Sequence, residues 1–150
     1  MNLFDTISED IKKAMLAKEK EKLEALRSVK AAFLVARTEP GAGGELSPET
    51  ELKIVQKLVK QRRESAEIYR QNNRTDLADK ELLEASFIEV YLPAQMGEDQ
   101  LEAAVKIIIE KVGAKAPSDM GKVMGVATKE LSGKADGKAI SSIVKKLLGF

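Results

Sequence analysis

The sequence contains no cysteine and no histidine. That removes thiolate and imidazole chemistry, disulfides, Cys/His zinc sites and the usual nucleophile–histidine triads. Aromatics are scarce, with two Tyr, four Phe and no Trp. Charge of one sign is lacking as well: 25 Lys+Arg face 24 Asp+Glu over 150 residues, so any electrostatic function has to come from local patches. No uninterrupted apolar run, Ile107-Ile108-Ile109 included, approaches the roughly 20 residues that a membrane span needs. The stretch Met1-Asn2-Leu3-Phe4-Asp5 leads straight into an amphipathic pattern with no apolar h-region or cleavage site. The expectation is a cytoplasmic protein with no membrane partner. Neither an EF-hand loop nor a glycine-rich phosphate loop is present, so no metal and no cofactor are expected. Metal binding by carboxylates alone and catalysis by Lys or Glu are the routes left open.

What is present is helical spacing from end to end, in a chain long enough for one domain or two very small ones. Seven helices are predicted. The first, about Leu3 to Lys18, places Phe4, Ile7, Ile11 and Met15 on one face. The second, about Lys20 to Thr38, carries Leu23, Leu26, Val29, Phe33 and Leu34. The join at Lys18-Glu19-Lys20 has no Gly or Pro, which allows the two to form one kinked helix. Pro40, Gly41, Gly43 and Gly44 mark a mobile loop. Ser47 and Pro48 then read as N-cap and first residue of helix three, which runs to about Asn72. Helix four, capped by Thr75, runs from about Asp76 to Leu92, where Pro93 stops it, and forms an antiparallel hairpin with helix three. After a short aperiodic linker at 94–97, helix five ends before Gly113 as a left-handed cap. Helix six spans about Ser118 to Leu131 and helix seven about Lys138 to Leu148. The fold class is therefore all-α, with a helical N-terminal domain over 1–93 and a small three-helix bundle over 98–150.

Several charges fall on apolar faces. Arg62 lies among Val55, Leu58, Val59, Ala66 and Tyr69 of helix three, while Glu81 and Glu84 share a face with Leu77, Ile88 and Tyr91. A turn near Asn73 puts Arg62 and Glu84 at matching heights, which predicts an ion pair. Lys30 and Arg37 fall in the apolar arc of helix two, with Arg27 at its edge, so the expected polar network comprises Arg27, Lys30, Arg62, Glu81 and Glu84. A small anion or amide site is the functional reading of such a cluster. A network that fixes helix register is the structural one, and it is favoured; no catalytic residue is assigned.

Six strings occur in order: Leu26-Arg27 with Lys30; Lys60-Gln61-Arg62-Arg63-Glu64-Ser65-Ala66; Arg74 with Asp76-Leu77-Ala78; Tyr91-Leu92-Pro93; Asp119-Met120-Gly121-Lys122-Val123-Met124-Gly125; and Gly133-Lys134-Ala135-Asp136-Gly137-Lys138. With them the chain resembles the YqeY family, free-standing relatives of the tail domain of the GatB subunit of tRNA-dependent amidotransferase, over essentially its whole length. The resemblance implies a helical N-terminal domain followed by a GatB-tail-like domain in a bacterial, cytoplasmic setting. In the amidotransferase the tail helps hold the tRNA, and the kinase and ammonia-transfer chemistry sits in a cradle domain for which this chain has no room. A label of carbon–nitrogen ligase with glutamine as amido-N-donor attaches to such proteins by inheritance from the amidotransferase.

Two basic patches are candidates for RNA. Residues 120–150 hold Lys122, Lys129, Lys134, Lys138, Lys145 and Lys146 against Glu130 and Asp136, a net +4. Glycines flank Lys134, and the amides that open helix seven are expected beside it, as a phosphate seat. Residues 53–74 hold seven Lys+Arg, among them Lys57, Arg63, Arg70 and Arg74, against Glu64 and Glu67. Pairs Lys60–Glu64 and Arg63–Glu67 at i,i+4 are expected to support the helix. No aromatic lies on either face, which favours phosphate contact with a folded RNA over base stacking on single strands. The expectation is a non-enzymatic tRNA-binding or tRNA-accessory protein. A helical adaptor for a protein partner and an enzyme built on the buried Arg–Glu cluster are the alternatives.

Overall fold

The structure, a computed structural model, describes residues 2–149, which contain seven α-helices and no strand. They are α1 (Leu3–Leu16), α2 (Lys20–Arg37), α3 (Pro48–Gln71), α4 (Thr75–Glu89), α5 (Glu98–Val112), α6 (Met120–Glu130) and α7 (Gly137–Leu148), with a 3₁₀ turn at Pro117–Asp119 leading into α6. The chain forms two compact units, Met1–Leu92 and Pro93–Phe150, each around its own core.

In the first unit, Ile7 and Ile11 of α1, Leu26, Val29 and Phe33 of α2, Val55 and Val59 of α3, and Ala85 and Ile88 of α4 bury one shared core. Each fully buried Ile, Leu, Val or Phe is worth about 1.5–3 kcal/mol of transfer free energy. Ser47 caps α3 by accepting from Thr50 N at 3.1 Å, and Pro48 follows at the first helical position, where its missing N–H costs nothing. In the second unit, Leu101, Val105 and Ile108 of α5 meet Val123 and Ala127 of α6 and Ile140, Ile143, Val144 and Leu148 of α7. The segment after Pro93 is held within this unit: Met96 N donates to Lys134 O at 2.9 Å and Gln95 Nε2 to Gly133 O at 2.7 Å.

Three helices end in the same hydrogen-bonded turn with different residues at its left-handed position. Beyond α1, Lys18 N donates to Met15 O and Glu19 N to Ala14 O, with Lys18 at φ 57°. Beyond α3, Asn73 N donates to Arg70 O and Arg74 N to Tyr69 O, with Asn73 at φ 59°. Beyond α5, Gly113 N donates to Glu110 O and Ala114 N to Ile109 O, with Gly113 at φ 72°. This motif satisfies the last carbonyls of a helix, and glycine fits it best. Because Lys18 adopts it, α1 and α2 are separate helices and not one kinked rod.

Other ends differ from the sequence expectation by a residue or more. The first helix stops at Leu16 instead of Lys18, and the second at Arg37 instead of Thr38. Thr75 is the first residue of α4, not its cap; the capping position is Arg74, which gives no side-chain bond, and the helix ends at Glu89 before a turn. The 3₁₀ turn takes Ser118 and Asp119, so α6 begins at Met120. Two expected core residues lie outside: Met15 is 51% and Leu34 47% exposed. Ala14, one step round the wheel from Met15, is buried instead, since the smaller side chain permits closer approach of α2.

Candidate nucleic-acid interface

The polar network of the first unit is narrower than expected. Arg62 Nε donates to Glu84 Oε2 at 3.3 Å, with the two side chains only 14% and 17% exposed. Arg62 Nη2 donates to Ser28 Oγ at 2.6 Å and Nη1 to Leu58 O at 3.3 Å. One guanidinium thus joins α2, α3 and α4, and all three of its nitrogens have protein acceptors. Such an arginine fixes register and has little left to offer an exogenous anion. Arg27 is exposed. Lys30 goes elsewhere: its Nζ lies 5.6 Å from the Phe4 ring centroid, and Arg37 Cζ lies 3.8 Å from the same centroid. Both cations of α2 rest on the negative faces of an aromatic ring of α1. Glu81 is half-buried, and no hydrogen bond or ion pair among the described residues ties it to Arg62.

Two polar ties had no counterpart in the sequence reading. Among the described residues Glu51 is the one charged side chain in the core, 2% exposed, and its Oε2 accepts from Phe4 N at 3.0 Å. A carboxylate from α3 therefore caps the first turn of α1, where the helix dipole favours it. Tyr91 Oη donates to Asp10 Oδ2 at 2.5 Å. Burial first, then the Asp10 carboxylate, push the Tyr91 phenol above its ordinary range.

The basic face of α3 is partly neutralised. Arg63 pairs with Glu89 of α4 at 2.6 Å, across the hairpin, and not with Glu67 one turn along its own helix. Arg74 takes Asp76 in a two-point contact, 3.3 Å from Nε and 3.3 Å from Nη2. That contact holds the Asp76 carboxyl below, and the Arg74 guanidinium above, their ordinary values. Lys57 and Arg70 are exposed and make no ion pair among the described residues.

In the second unit Lys122, Lys129, Lys134, Lys138 and Lys145 are all exposed and make no ion pair among the described residues. The remaining lysines mark where the acids are. Lys146 and Lys106 lie 3.4 Å and 3.9 Å from Glu102 of α5, and Lys111 lies 2.9 Å from Glu130. Lys146 thus shares an acid with Lys106, although its side chain stays exposed. The expected phosphate seat at the start of α7 is also filled: Asp136 Oδ1 accepts from Lys138 N at 2.6 Å and from Ala139 N at 3.4 Å. Its carboxylate stands where the anion was expected, and the Gly133 and Lys134 carbonyls are taken by Gln95 and Met96. The lysine side chains remain as the cationic feature. Asp119 is occupied too, accepting from Lys115 N at 3.0 Å and Ala116 N at 3.2 Å, and these amides hold its carboxyl below the usual range.

Residue types inside α6 add a feature that periodicity passed over. Beyond the helix's own backbone and their chain neighbours, nothing lies within 4 Å of where a Cβ on Gly121 or Gly125 would stand, so no internal packing requires these glycines. Each costs the helix about 1 kcal/mol relative to alanine.

Among the described residues no group of three or more acidic side chains is placed to hold a metal ion, and no helix is long and apolar enough to cross a membrane. Fold and surface together define a two-unit helical protein with unpaired lysines on the outer faces of its second unit. The chain belongs to the family described as Yqey-like protein, whose model matches residues 4–148. It is similar to proteins named "Altered inheritance of mitochondria protein 41, mitochondrial". The one from Clavispora lusitaniae is 28% identical over 149 residues, covering 97% of this chain and 85% of the relative. The one from Saccharomyces cerevisiae is 32% identical over 135 residues, covering 87% and 69%. The one from Eremothecium gossypii is 38% identical over 92 residues, covering 59% and 48%.

Proposed function

We propose that the protein binds tRNA or another folded RNA through its second unit, as a tRNA-accessory protein. The observation that carries this reading is the distribution of ion pairs. Glu102 and Glu130 engage Lys106, Lys111 and Lys146, whereas Lys122, Lys129, Lys134, Lys138 and Lys145 are exposed and make no ion pair among the described residues. Unpaired surface cations are what a polyanion engages, with release of its condensed counterions. The GatB-tail resemblance points the same way, and the reading keeps the bacterial, cytoplasmic setting that goes with it. A carbon–nitrogen ligase role has less support: the buried arginine of the first unit is consumed by Glu84, Ser28 and Leu58.

The test is tRNA retardation at low salt with wild type and with a variant in which Lys122, Lys129, Lys134 and Lys138 are replaced by Gln. Wild type should bind, with log affinity falling against log salt at a slope of roughly −0.7 to −0.9 per phosphate contacted. The variant should bind more weakly with a shallower slope and an unchanged thermal midpoint. A duplex-containing RNA should outcompete an unstructured strand. Wild type that does not bind tRNA near ~50 mM salt, where such contacts are strongest, refutes the reading.

A further inference from the structure

On the wheel of α6, Gly121, Gly125, Lys122 and Lys129 fall within an arc of about 100°, opposite the buried Val123 and Ala127. All four are exposed. The space above both glycines is open, so the face is a strip of bare peptide backbone with an ammonium at either end. Lys122 and Lys129 stand about 10 Å apart along the axis, far enough to meet different phosphates. Of the nearby acids, Glu130, on the flank of α6, pairs with Lys111 of α5, and Asp119 accepts from the Lys115 and Ala116 amides while its charge also reaches Lys122, without forming an ion pair with it.

We propose that this face of α6 seats the sugar–phosphate backbone of the RNA, the glycines letting it lie against the helix while Lys122 and Lys129 take phosphates on either side. The inference rests on the RNA-binding reading above and adds the surface and mode of contact. The charge selects the occupant. A second copy would bring its own Lys122 and Lys129 against these, which like-charge repulsion opposes, whereas a phosphodiester chain complements both the sign and the spacing. Phosphate contacts of this kind position a nucleic acid without reading its sequence, so binding should follow RNA shape.

The experiment adds neutral bulk and leaves every charge in place. Gly121→Gln with Gly125→Gln in the full chain should raise the thermal midpoint, because helix glycines are removed, and weaken tRNA binding by about tenfold or more. Ile107→Gln, on the exposed side of α5, should leave binding within about twofold, since it alters no cationic contact. Gly121→Ala with Gly125→Ala, the smallest possible intrusion, should fall between them, and it keeps the test sound should the larger side chains disturb the fold. A Gln variant that is more stable yet binds like wild type, while Lys122→Gln with Lys129→Gln still weakens binding, overturns this inference and leaves the RNA reading standing. Wild type without affinity for tRNA overturns both.

Discussion

With its guanidinium shared among Glu84, Ser28 and the Leu58 carbonyl, Arg62 leaves a half-buried carboxylate stranded if it alone is removed. Arg62→Leu should lower stability by about 3–5 kcal/mol, and adding Glu84→Leu should restore much of the loss. Urea titration of the two single variants and the double variant measures the coupling, and a coupling near zero would show that the pair contributes nothing in solution. Tyr91 makes a second test by pH. Its folded pKa is raised above the ordinary 10.0, so its contribution is complete below about pH 10 and is lost as pH climbs from there towards the folded value. Stability of the wild type should fall more steeply above pH 10 than that of Tyr91→Phe. At neutral pH the variant should be weaker by only about 1 kcal/mol, because the site is partly solvated. Parallel alkaline profiles for the two proteins would contradict the assignment.

Helix ends show what the sequence could and could not tell. Ser47-Pro48 and Gly113 were legible because each residue type carries its own backbone preference. Lys18 was not, because its left-handed conformation is imposed by α2 packing back on α1 and not by its own side chain. That predicts a gain: Lys18→Gly should stabilise the protein by about 0.5–1 kcal/mol, the relief of the left-handed strain less the entropy glycine adds to the unfolded chain. A lower thermal midpoint for this variant would refute it. The same reasoning explains the candidate site. Arg62 and Glu84 were predictable as partners because one hairpin turn sets their heights. Glu51 was visible only as a first-turn acid, because its burial depends on a helix arriving from 47 residues away. Lysine positions could be read from the wheel, but which of them the acids of α5 would claim, and that Asp136 would fill the start of α7, could not. Arg63 likewise found Glu89 across the hairpin, where wheel arithmetic offered Glu67.

At the scale of the molecule, chain accessibility should follow hydrogen bonding. Gly41, Gly43 and Gly44 all have positive φ, between 64° and 89°, and stand free of neighbouring atoms. Limited proteolysis should therefore cut at 41–44 first. The segment 94–97, tied to the 133–134 turn through Gln95 and Met96, should be cut later, and the reverse order on a mass-spectrometric time course would contradict that. The two long-range ties of α1 bear on how the protein is made. Its first turn is capped by Glu51, and its middle is held by Tyr91, 81 positions after Asp10. A chain growing from its N-terminus carries α1 without its carboxylate until α3 has emerged, and without its phenol until α4 has passed. Of the four helices of this unit, α1 leaves the ribosome first and is the last to be secured, and pulse-labelled nascent chains halted before residue 91 should expose α1 to proteases that the finished protein resists.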